Sequence, residues 1–242
     1  MNKLSTSSHS SARSTLIPLY KQISESISRD IAAGRYSDGD RLPPERELAR
    51  YFNTTVRTLR KALTELQSRN LIEAVQGSGN YVRLVDQAQS IYSLFRLELP
   101  GGGGLPTAQV LNIKMLKKPK DLPVFGSCNR ATRIRRLRCL DQTAVALEEI
   151  WLDESAGQVI PDKLGDSLYR YYQLRLGFWI HKAEDKVSIQ PLPEWTPATL
   201  GNKAGTLFGF VERFGWAQEK SPIEYSRTWF NPVKSRYVQR LK

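Results

Sequence analysis

The stretch Leu42-Pro-Pro-Glu-Arg-Glu-Leu-Ala49, followed after five residues by Thr55-Val-Arg-Thr-Leu-Arg-Lys-Ala-Leu63, decides the fold of the first part of the chain. The two prolines suit the first turn of a helix that begins at Glu45, where acidic side chains also favour the helix dipole. Asn53 tolerates the left-handed conformation that a tight interhelical turn requires. A second helix, over about residues 55–70, carries apolar residues along one face. Two helices joined by such a turn predict a helix-turn-helix.

The residues on either side of this pair complete a small domain. Apolar residues recur every four positions from Leu19 to Ile31, which is typical of an amphipathic helix. Downstream, two short extended runs flank a glycine-rich turn at residues 76–80, which indicates a wing. We predict a disordered tail over residues 1–14, a winged helix-turn-helix over 15–83, a linker over 84–98 and a second domain over 99–242.

Polar side chains lie off the apolar face of the helix predicted over about residues 55–70. They are near its N-terminal end, which enters the major groove in helix-turn-helix proteins. Arginine can bond guanine edges, threonine can bond phosphates or base edges, and a glycine-rich wing lets backbone approach DNA closely. The alternatives are a solvated helix face or a purely structural helical bundle. The candidate DNA-binding residues are Thr55, Arg57, Thr58, Arg60, Lys61, Gln76, Gly77 and Ser78.

Net charge alone would misplace the DNA site. The chain carries a formal charge of +12, but residues 15–83 hold 11 Lys/Arg against 8 Asp/Glu, whereas residues 99–242 hold 22 against 14. The larger surplus suggests that the second domain meets an anion of its own. Two cysteines and two histidines are too few for a disulfide framework or a multi-histidine metal site, and no apolar run is long enough to span a bilayer. We expect a cytoplasmic protein with no membrane contact, cofactor or metal.

Short alternating runs separated by a helical pattern over residues 166–176 predict a mostly antiparallel sheet with a few helices, so the whole chain is expected to be α+β. Gly101 to Gly104 is expected to be a flexible loop and not a phosphate cradle, because no Gly-Lys-Ser/Thr follows.

Several polar residues of the second domain are placed as if to form a binding site. Arg136 and Arg138 alternate along one strand and share a face. Glu148 and Glu224 are acids within apolar runs, and Ser167 stands where it can cap a helix whose first backbone N–H groups, at Leu168 and Tyr169, attract anions. Arginines facing such a helix can bind phosphate or carboxylate, while an acid can hold hydroxyl or amine groups. The alternative to ligand binding is that each of these residues only forms a surface ion pair or caps a helix.

The first domain resembles the DNA-binding domain of GntR-family transcription regulators. The likeness covers nearly all of residues 18–83 and rests on Gly39-Asp-Arg-Leu-Pro-Pro-Glu-Arg-Glu-Leu-Ala49, Arg57-Thr-Leu-Arg-Lys-Ala-Leu63 and Gly77-Ser-Gly-Asn-Tyr-Val82. The resemblance implies a dimer on a short inverted repeat, with DNA contacts from Arg46, the start of the recognition helix and Gly77. The family commonly has Ser-Arg where this chain has Thr55-Val56. Because one helical step is a rotation of about 100°, Arg57 does not inherit that role, and base preference is expected to differ.

The second domain is similar to the UTRA effector domain of HutC-type GntR regulators over residues 90–242. The motifs are Ala131-Thr-Arg-Ile-Arg-Arg-Leu-Arg-Cys139, Ala146-Leu-Glu-Glu149, Ser167-Leu-Tyr169, Gly205-Thr-Leu-Phe208 and Pro222-Ile-Glu-Tyr-Ser226. The resemblance implies a chorismate-lyase-like fold, with a phosphate held by the arginine pair and the Ser-Leu-Tyr helix start and two acids in the same site. Phe230 stands where a tyrosine is common. The candidate effector-binding residues are Arg136, Arg138, Glu148, Ser167, Leu168, Tyr169, Glu224 and Phe230.

These patterns predict a ligand-responsive bacterial transcription regulator, a repressor that binds an inverted-repeat operator in double-stranded DNA as a homodimer. A small anionic effector, such as a sugar phosphate or an organic acid, is expected to modulate DNA affinity. One alternative is a lyase-like enzyme using Glu148 or Glu224. No Ser-His, Cys-His or metal constellation supports it, so we expect no enzyme activity. The other alternative is a DNA-binding protein without an effector.

Overall fold

The computed structural model describes residues 18–83, 94–164, 167–217 and 220–240. The tail at residues 1–14 and most of the predicted linker therefore lie outside the described residues. The first domain contains three helices and a two-stranded wing. These elements are α1 (Leu19–Ala32), α2 (Glu45–Tyr51), α3 (Val56–Ser68), β1 (Ile72–Val75) and β2 (Gly79–Val82).

The first domain has its own apolar core. Ile23, Ile27 and Ile31 of α1 are fully buried and pack with Leu59 and Leu66 of α3, which are also fully buried. These are the positions of the four-residue apolar repeats, so the periodicity identified the helix faces correctly.

The ends of these helices follow from local chemistry. Gly34 ends α1 in the left-handed region at φ +72°, and Asn53 adopts φ +46° in the turn between α2 and α3, as predicted. Pro44 precedes the first residue of α2. At the start of α3 the hydroxyl of Thr55 accepts a hydrogen bond from the backbone N–H of Thr58.

The second domain is built on a six-stranded antiparallel sheet in the order β4-β5-β6-β9-β8-β7. A short pair, β3 with β10, is separate from it. The strands are β3 (Leu97–Glu98), β4 (Pro106–Lys117), β5 (Arg130–Leu140), β6 (Thr143–Asp153), β7 (Lys182–Pro191), β8 (Leu207–Trp216), β9 (Glu224–Phe230) and β10 (Arg236–Tyr237). The predicted α+β class, with an antiparallel sheet and few helices, is confirmed.

One helical segment packs on the sheet. Helix α4 (Leu168–Tyr171) continues directly into a π-helical turn (Tyr172–Leu176), and Gly177 ends it in the left-handed region at φ +75°. The predicted helix began at residue 166, which lies outside the described residues. The edge strand β7 and the β3–β10 pair did not stand out in the sequence.

The glycine loop at residues 101–104 contacts the first domain. The backbone N–H of Gly104 donates to the hydroxyl of Tyr51 at 3.2 Å, and the carbonyl of Gly104 accepts from Arg29 Nη1 at 3.3 Å. At Gly103, with φ +66°, a Cβ would lie 2.0 Å from Tyr51 Oη. Expected only to be flexible, this loop is where the two domains meet.

Candidate functional site

A cavity lies on one face of the six-stranded sheet, beside α4. Strand register explains how it forms, since directly opposite residues point to the same face. Arg136 of β5 stands opposite Glu148 of β6, which stands opposite Thr228 of β9. Seven of the eight predicted effector-binding residues line this cavity: Arg136, Arg138, Glu148, Ser167, Leu168, Tyr169 and Glu224.

A buried carboxylate lies between the two predicted arginines. Arg136 Nη2 donates to Glu148 Oε2 at 2.6 Å, and Arg138 Nε lies 3.6 Å from Glu148 Oε1. All three residues are buried. Burial alone would raise the pKa of Glu148, but the guanidinium groups of Arg136 and Arg138 outweigh it and hold the pKa below its usual range. Glu148 is therefore ionised at neutral pH.

Arg136 retains unused hydrogen-bonding capacity. Arg136 is 5% exposed, and its Nε and Nη1 atoms have no hydrogen-bond acceptor among the described residues. A buried guanidinium whose N–H groups lack acceptors is destabilising unless something supplies them. The arrangement can therefore receive an anion.

The second acid of the cavity has a different environment. The hydroxyl of Tyr172 donates to Glu224 Oε2 at 2.6 Å, and that of Tyr169 donates to Glu224 Oε1 at 3.2 Å. Burial raises the pKa of Glu224, although the tyrosine hydroxyls and Arg213 oppose the shift. The environments of Glu148 and Glu224 thus shift their pKa values in opposite directions. Glu224 is placed to form hydrogen bonds with a neutral polar group of a ligand.

Two further arginines, which were not identified from the sequence, also line the cavity. Arg213 of β8 forms two 2.6 Å hydrogen bonds to Asp185 of the edge strand β7, and the hydroxyl of Tyr237 donates to the same carboxylate at 2.5 Å. Arg96, just before β3, donates to Gln239 at 2.7 Å. Arg213 is the one arginine in the mostly apolar run of residues 208–216, and this position was the sequence signal that could have identified it. Arg96 was assigned to the linker.

Ser167 has the predicted capping role. Its hydroxyl accepts a hydrogen bond from the backbone N–H of Arg170 at 3.3 Å, and the cap places Leu168 and Tyr169 against the cavity. Asp166, at the start of the helical pattern seen in the sequence, lies outside the described residues.

Phe230 is placed differently from the other seven. It stands opposite Gly209 of β8, its ring crosses that glycine, and it packs in the apolar cluster with Leu97 and Val211. Phe230 is not among the residues that line the cavity, and its apolar ring is stabilised by burial under its neighbours. The structure therefore gives Phe230 a packing role and not a contact with the cavity.

The predicted DNA-binding residues lie on one helix, one neighbouring helix and the wing. Arg46 of α2 and Arg57, Arg60 and Lys61 of α3 are all exposed. Val56, in contrast, is half-buried and packs against the domain core. The residue that departs from the family pattern therefore contributes to packing.

Some of these groups already have partners. Arg60 Nε donates to Glu45 Oε2 at 2.8 Å, and the hydroxyls of Thr55 and Thr58 lie 3.0 Å apart. In the wing, Ser78 Oγ and the Tyr81 hydroxyl are hydrogen-bonded at 2.6 Å.

The wing turn itself is open. Gln76 and Gly77 are exposed, and Gly77, at φ +73°, has no atom within 4 Å of where a Cβ would lie. Its backbone can therefore approach another molecule closely.

The described residues contain no group of three or more His, Cys, Asp or Glu placed to hold a metal ion. Nor does any helix within them combine the length and apolar character needed to cross a membrane. The arrangement offers two chemical surfaces: a cationic helix beside an open wing, and a cavity that combines arginines with carboxyl and hydroxyl groups.

Known proteins match both domains. The family described as bacterial regulatory proteins, gntR family, matches residues 19–82, and the UTRA domain matches residues 102–236. The chain is 49% identical to the HTH-type transcriptional regulator SmoD of Agrobacterium fabrum, over 93% of this chain and 97% of that protein. It is 26% identical to the mannosyl-D-glycerate transport/metabolism system repressor MngR of Escherichia coli, over 88% and 92% of the two chains. The HTH-type transcriptional repressor NagR of Bacillus subtilis is 22% identical over 92% and 94%.

Solved structures share the fold. The possible transcriptional regulator YydK from Bacillus subtilis superposes with a TM-score of 0.51 at 21% identity, covering 93% of this chain and all of that one. The ligand-binding domain of a GntR-family regulator from Bordetella bronchiseptica gives 0.53 at 19% identity, covering 61% and 96%. With both domains matched in order, the chain belongs to the GntR family and is a transcription regulator with a helix-turn-helix DNA-binding domain followed by a UTRA effector domain.

Proposed function

We propose that this regulator is a cytoplasmic repressor that binds an inverted-repeat operator as a homodimer and that a small anionic metabolite in the cavity changes its affinity for DNA. The observation that carries the effector assignment is Arg136, a buried arginine whose Nε and Nη1 lack acceptors among the described residues and which lines a cavity. An effector acts in this way only if it binds the two DNA-affinity states differently.

The charges of the cavity favour an anion. Within the part of the chain that the structure describes, the cavity is lined by four arginines, Arg96, Arg136, Arg138 and Arg213, and by two acids, Glu148 and Glu224. Because Glu148 is ionised while the pKa of Glu224 is raised, the lining carries an excess of positive charge. Guanidinium groups bind phosphate and carboxylate with charge-assisted hydrogen bonds.

The remaining polar groups favour an effector that also carries hydroxyl groups. Glu224, Tyr169 and Ser226 line the cavity beside apolar Ile150. Buried carboxyl and hydroxyl oxygens fix the orientation of small polar ligands. A sugar phosphate or a hydroxylated organic acid combines the two required chemistries.

The repressor and operator assignments have separate support. Arg57, Arg60 and Lys61 are exposed on the helix that helix-turn-helix proteins place in the major groove, and dimers of such proteins bind two half-sites. Two relatives, MngR and NagR, are named as repressors. These features favour a dimeric repressor with one recognition helix in each half-site.

Arg136→Gln is expected to weaken effector binding by about 30-fold, since a hydrogen bond to a charged group contributes about 2 kcal/mol. Sugar phosphates and organic acids are first screened against the wild-type protein by thermal shift, and the hits are measured by calorimetry. Arg133→Gln is the matched control, because Arg133 lies on the same strand and the opposite face and does not line the cavity. Unchanged affinity in Arg136→Gln, or the absence of any anion that binds, would count against the cavity as the effector site.

Arg60→Ala is expected to weaken operator binding by about 2 kcal/mol, which is about 30-fold, and to relax base preference at one position. Arg46→Ala is expected to weaken binding uniformly across sequences and to reduce the salt dependence by about one unit of slope. Gel-shift titrations use DNA selected from a random pool by the wild-type protein, with Lys186→Ala, an exposed cation of β7, as control. Wild-type affinity in both variants would contradict the assignment.

A further inference from the structure

One aromatic side chain belongs both to the wall of the cavity and to the boundary between the domains. Phe95 lines the cavity, and the guanidinium carbon of Arg138 lies 4.5 Å from the centroid of its ring. The guanidinium carbon of Arg29, on helix α1 of the DNA-binding domain, lies 6.0 Å from the same centroid. Both distances are within the range of cation–π attraction. A single ring therefore contacts an arginine of each domain.

Arg29 is anchored at the domain boundary by more than this ring. It is 1% exposed, its Nη2 donates to Asp30 Oδ1 at 2.7 Å, and its Nη1 donates to the carbonyl of Gly104 at 3.3 Å. Gly104 also donates its backbone N–H to Tyr51 of α2. Any displacement of Arg29 must therefore disturb the contact between α1 and the glycine loop.

Arg138 lines the cavity, so its interactions depend on whether an anion is bound there. It is 3% exposed and its Nε lies 3.6 Å from Glu148, a longer separation than the 2.6 Å bond between Arg136 and Glu148. An anion bound beside Arg136 also attracts the guanidinium of Arg138 and partly balances its positive charge. A guanidinium whose charge is balanced in this way is attracted less strongly to an aromatic face. Anion binding thus changes the force that holds Phe95.

We propose that Phe95 is the positioning residue through which the cavity controls the docking of the DNA-binding domain. The sequence of contacts runs from Arg138 through Phe95 to Arg29 and the glycine loop. The proposal rests on the effector role of the cavity given above. It predicts that removing the ring separates effector binding from the change in operator affinity.

The first test needs neither effector nor DNA. Hydrogen–deuterium exchange of the full-length protein is followed in peptides covering the end of α1 and residues 101–104. Arg138→Gln is expected to speed exchange there by at least about fivefold, within the usual range of allosteric coupling. Arg138→Lys, which keeps the charge, and Arg133→Gln, on the opposite face, are expected to stay within about twofold of wild type.

Phe95→Leu then decides whether the ring carries the effect. In that background, Arg138→Gln is expected to add less than about a twofold change, because contacting residues are energetically coupled whereas independent ones are additive. Phe95→Met is a second ring-free variant if Phe95→Leu does not fold. Equal effects of Arg138→Gln with and without the ring, or no effect in either, would overturn the proposal.

The second test adds inorganic phosphate as the probe, at constant ionic strength. Each protein is saturated with phosphate according to its own measured affinity, and the phosphate-induced change in operator affinity is then expected to be at least about fivefold in wild type and to fall below about twofold in Phe95→Leu. A full response in Phe95→Leu would refute the role of the ring. Failure of the wild type to bind phosphate or other anions would count against the proposed effector instead, and the exchange data alone would then decide the role of Phe95.

Discussion

Glu148→Gln is expected to lower the free energy of unfolding by about 3 kcal/mol, because removing one partner of a buried ion pair leaves the others uncompensated. Arg136 and Arg138 both depend on this carboxylate, and all three residues are buried. Chemical denaturation monitored by circular dichroism measures the loss. Glu184→Gln is the control, since Glu184 pairs with Lys186 on the surface, with both side chains more than half exposed, and such pairs contribute below about 1 kcal/mol.

The loss should depend on pH in a defined direction. The pKa of Glu148 is lowered in the folded protein by Arg136 and Arg138 against the effect of burial. Its stabilisation is therefore present above the pKa of the unfolded chain and is lost as the pH falls through the folded pKa. The difference between wild type and Glu148→Gln should shrink on acidification. A difference that stays constant from neutral to acidic pH would show that the ion pair is not its cause.

The same variant should respond more strongly to anions. Glu148 occupies hydrogen-bonding groups of Arg136 that an anionic effector would use. With the carboxylate gone, added phosphate should restore part of the lost stability, and its thermal shift should exceed that of wild type.

Gly209→Ala is expected to destabilise the effector domain by about 3 kcal/mol, at the upper end of the range for overpacked cores. A Cβ at this position would lie 2.2 Å from Phe230 Cζ, and two further ring atoms would lie within 2.6 Å. The ring cannot simply move away, because Phe230 is 8% exposed and packed among buried residues. Thermal and denaturant unfolding of the full-length protein measure the effect.

A second glycine of the same strand provides the control. A Cβ at Gly215 would have Ile180 Cγ2 as its nearest neighbour, at 3.3 Å, so Gly215→Ala should be much milder. Combining Gly209→Ala with Phe230→Leu removes the clashing end of the ring and should cost less than the sum of the two single substitutions. Additive losses would mean that the ring is not the source of the strain.

The fold was largely predictable because its strongest signals are local. The four-residue apolar repeat from Leu19 to Ile31, the prolines before α2 and the glycines of the wing each specify backbone conformation over a few residues. Likewise, the alternation of Arg136 and Arg138 placed both on one sheet face before any partner strand was known.

The parts that were missed depend on contacts between distant segments. Strand β7 is an exposed edge, so it lacks the alternating apolar pattern of a half-buried strand. Without β7, the partner of Arg213 could not be identified, because Asp185 meets it only through strand pairing. The β3–β10 pair joins two-residue strands that are far apart along the chain, too short for any periodicity to appear. The glycine loop was recognised as a loop, but not as a contact between domains.

In the proposed DNA-binding surface, Glu45 would compete with DNA for Arg60, because these two side chains already form an ion pair. Side-chain exposures of 68% and 33% leave the bond accessible to solvent and ions. Added salt weakens this bond as well as contacts between arginine and DNA, so the two effects partly cancel. Arg60 should therefore contribute less to the salt sensitivity of operator binding than an unpaired arginine would. The affinity of such a regulator for its operator is expected to fall less steeply as intracellular ion concentrations rise.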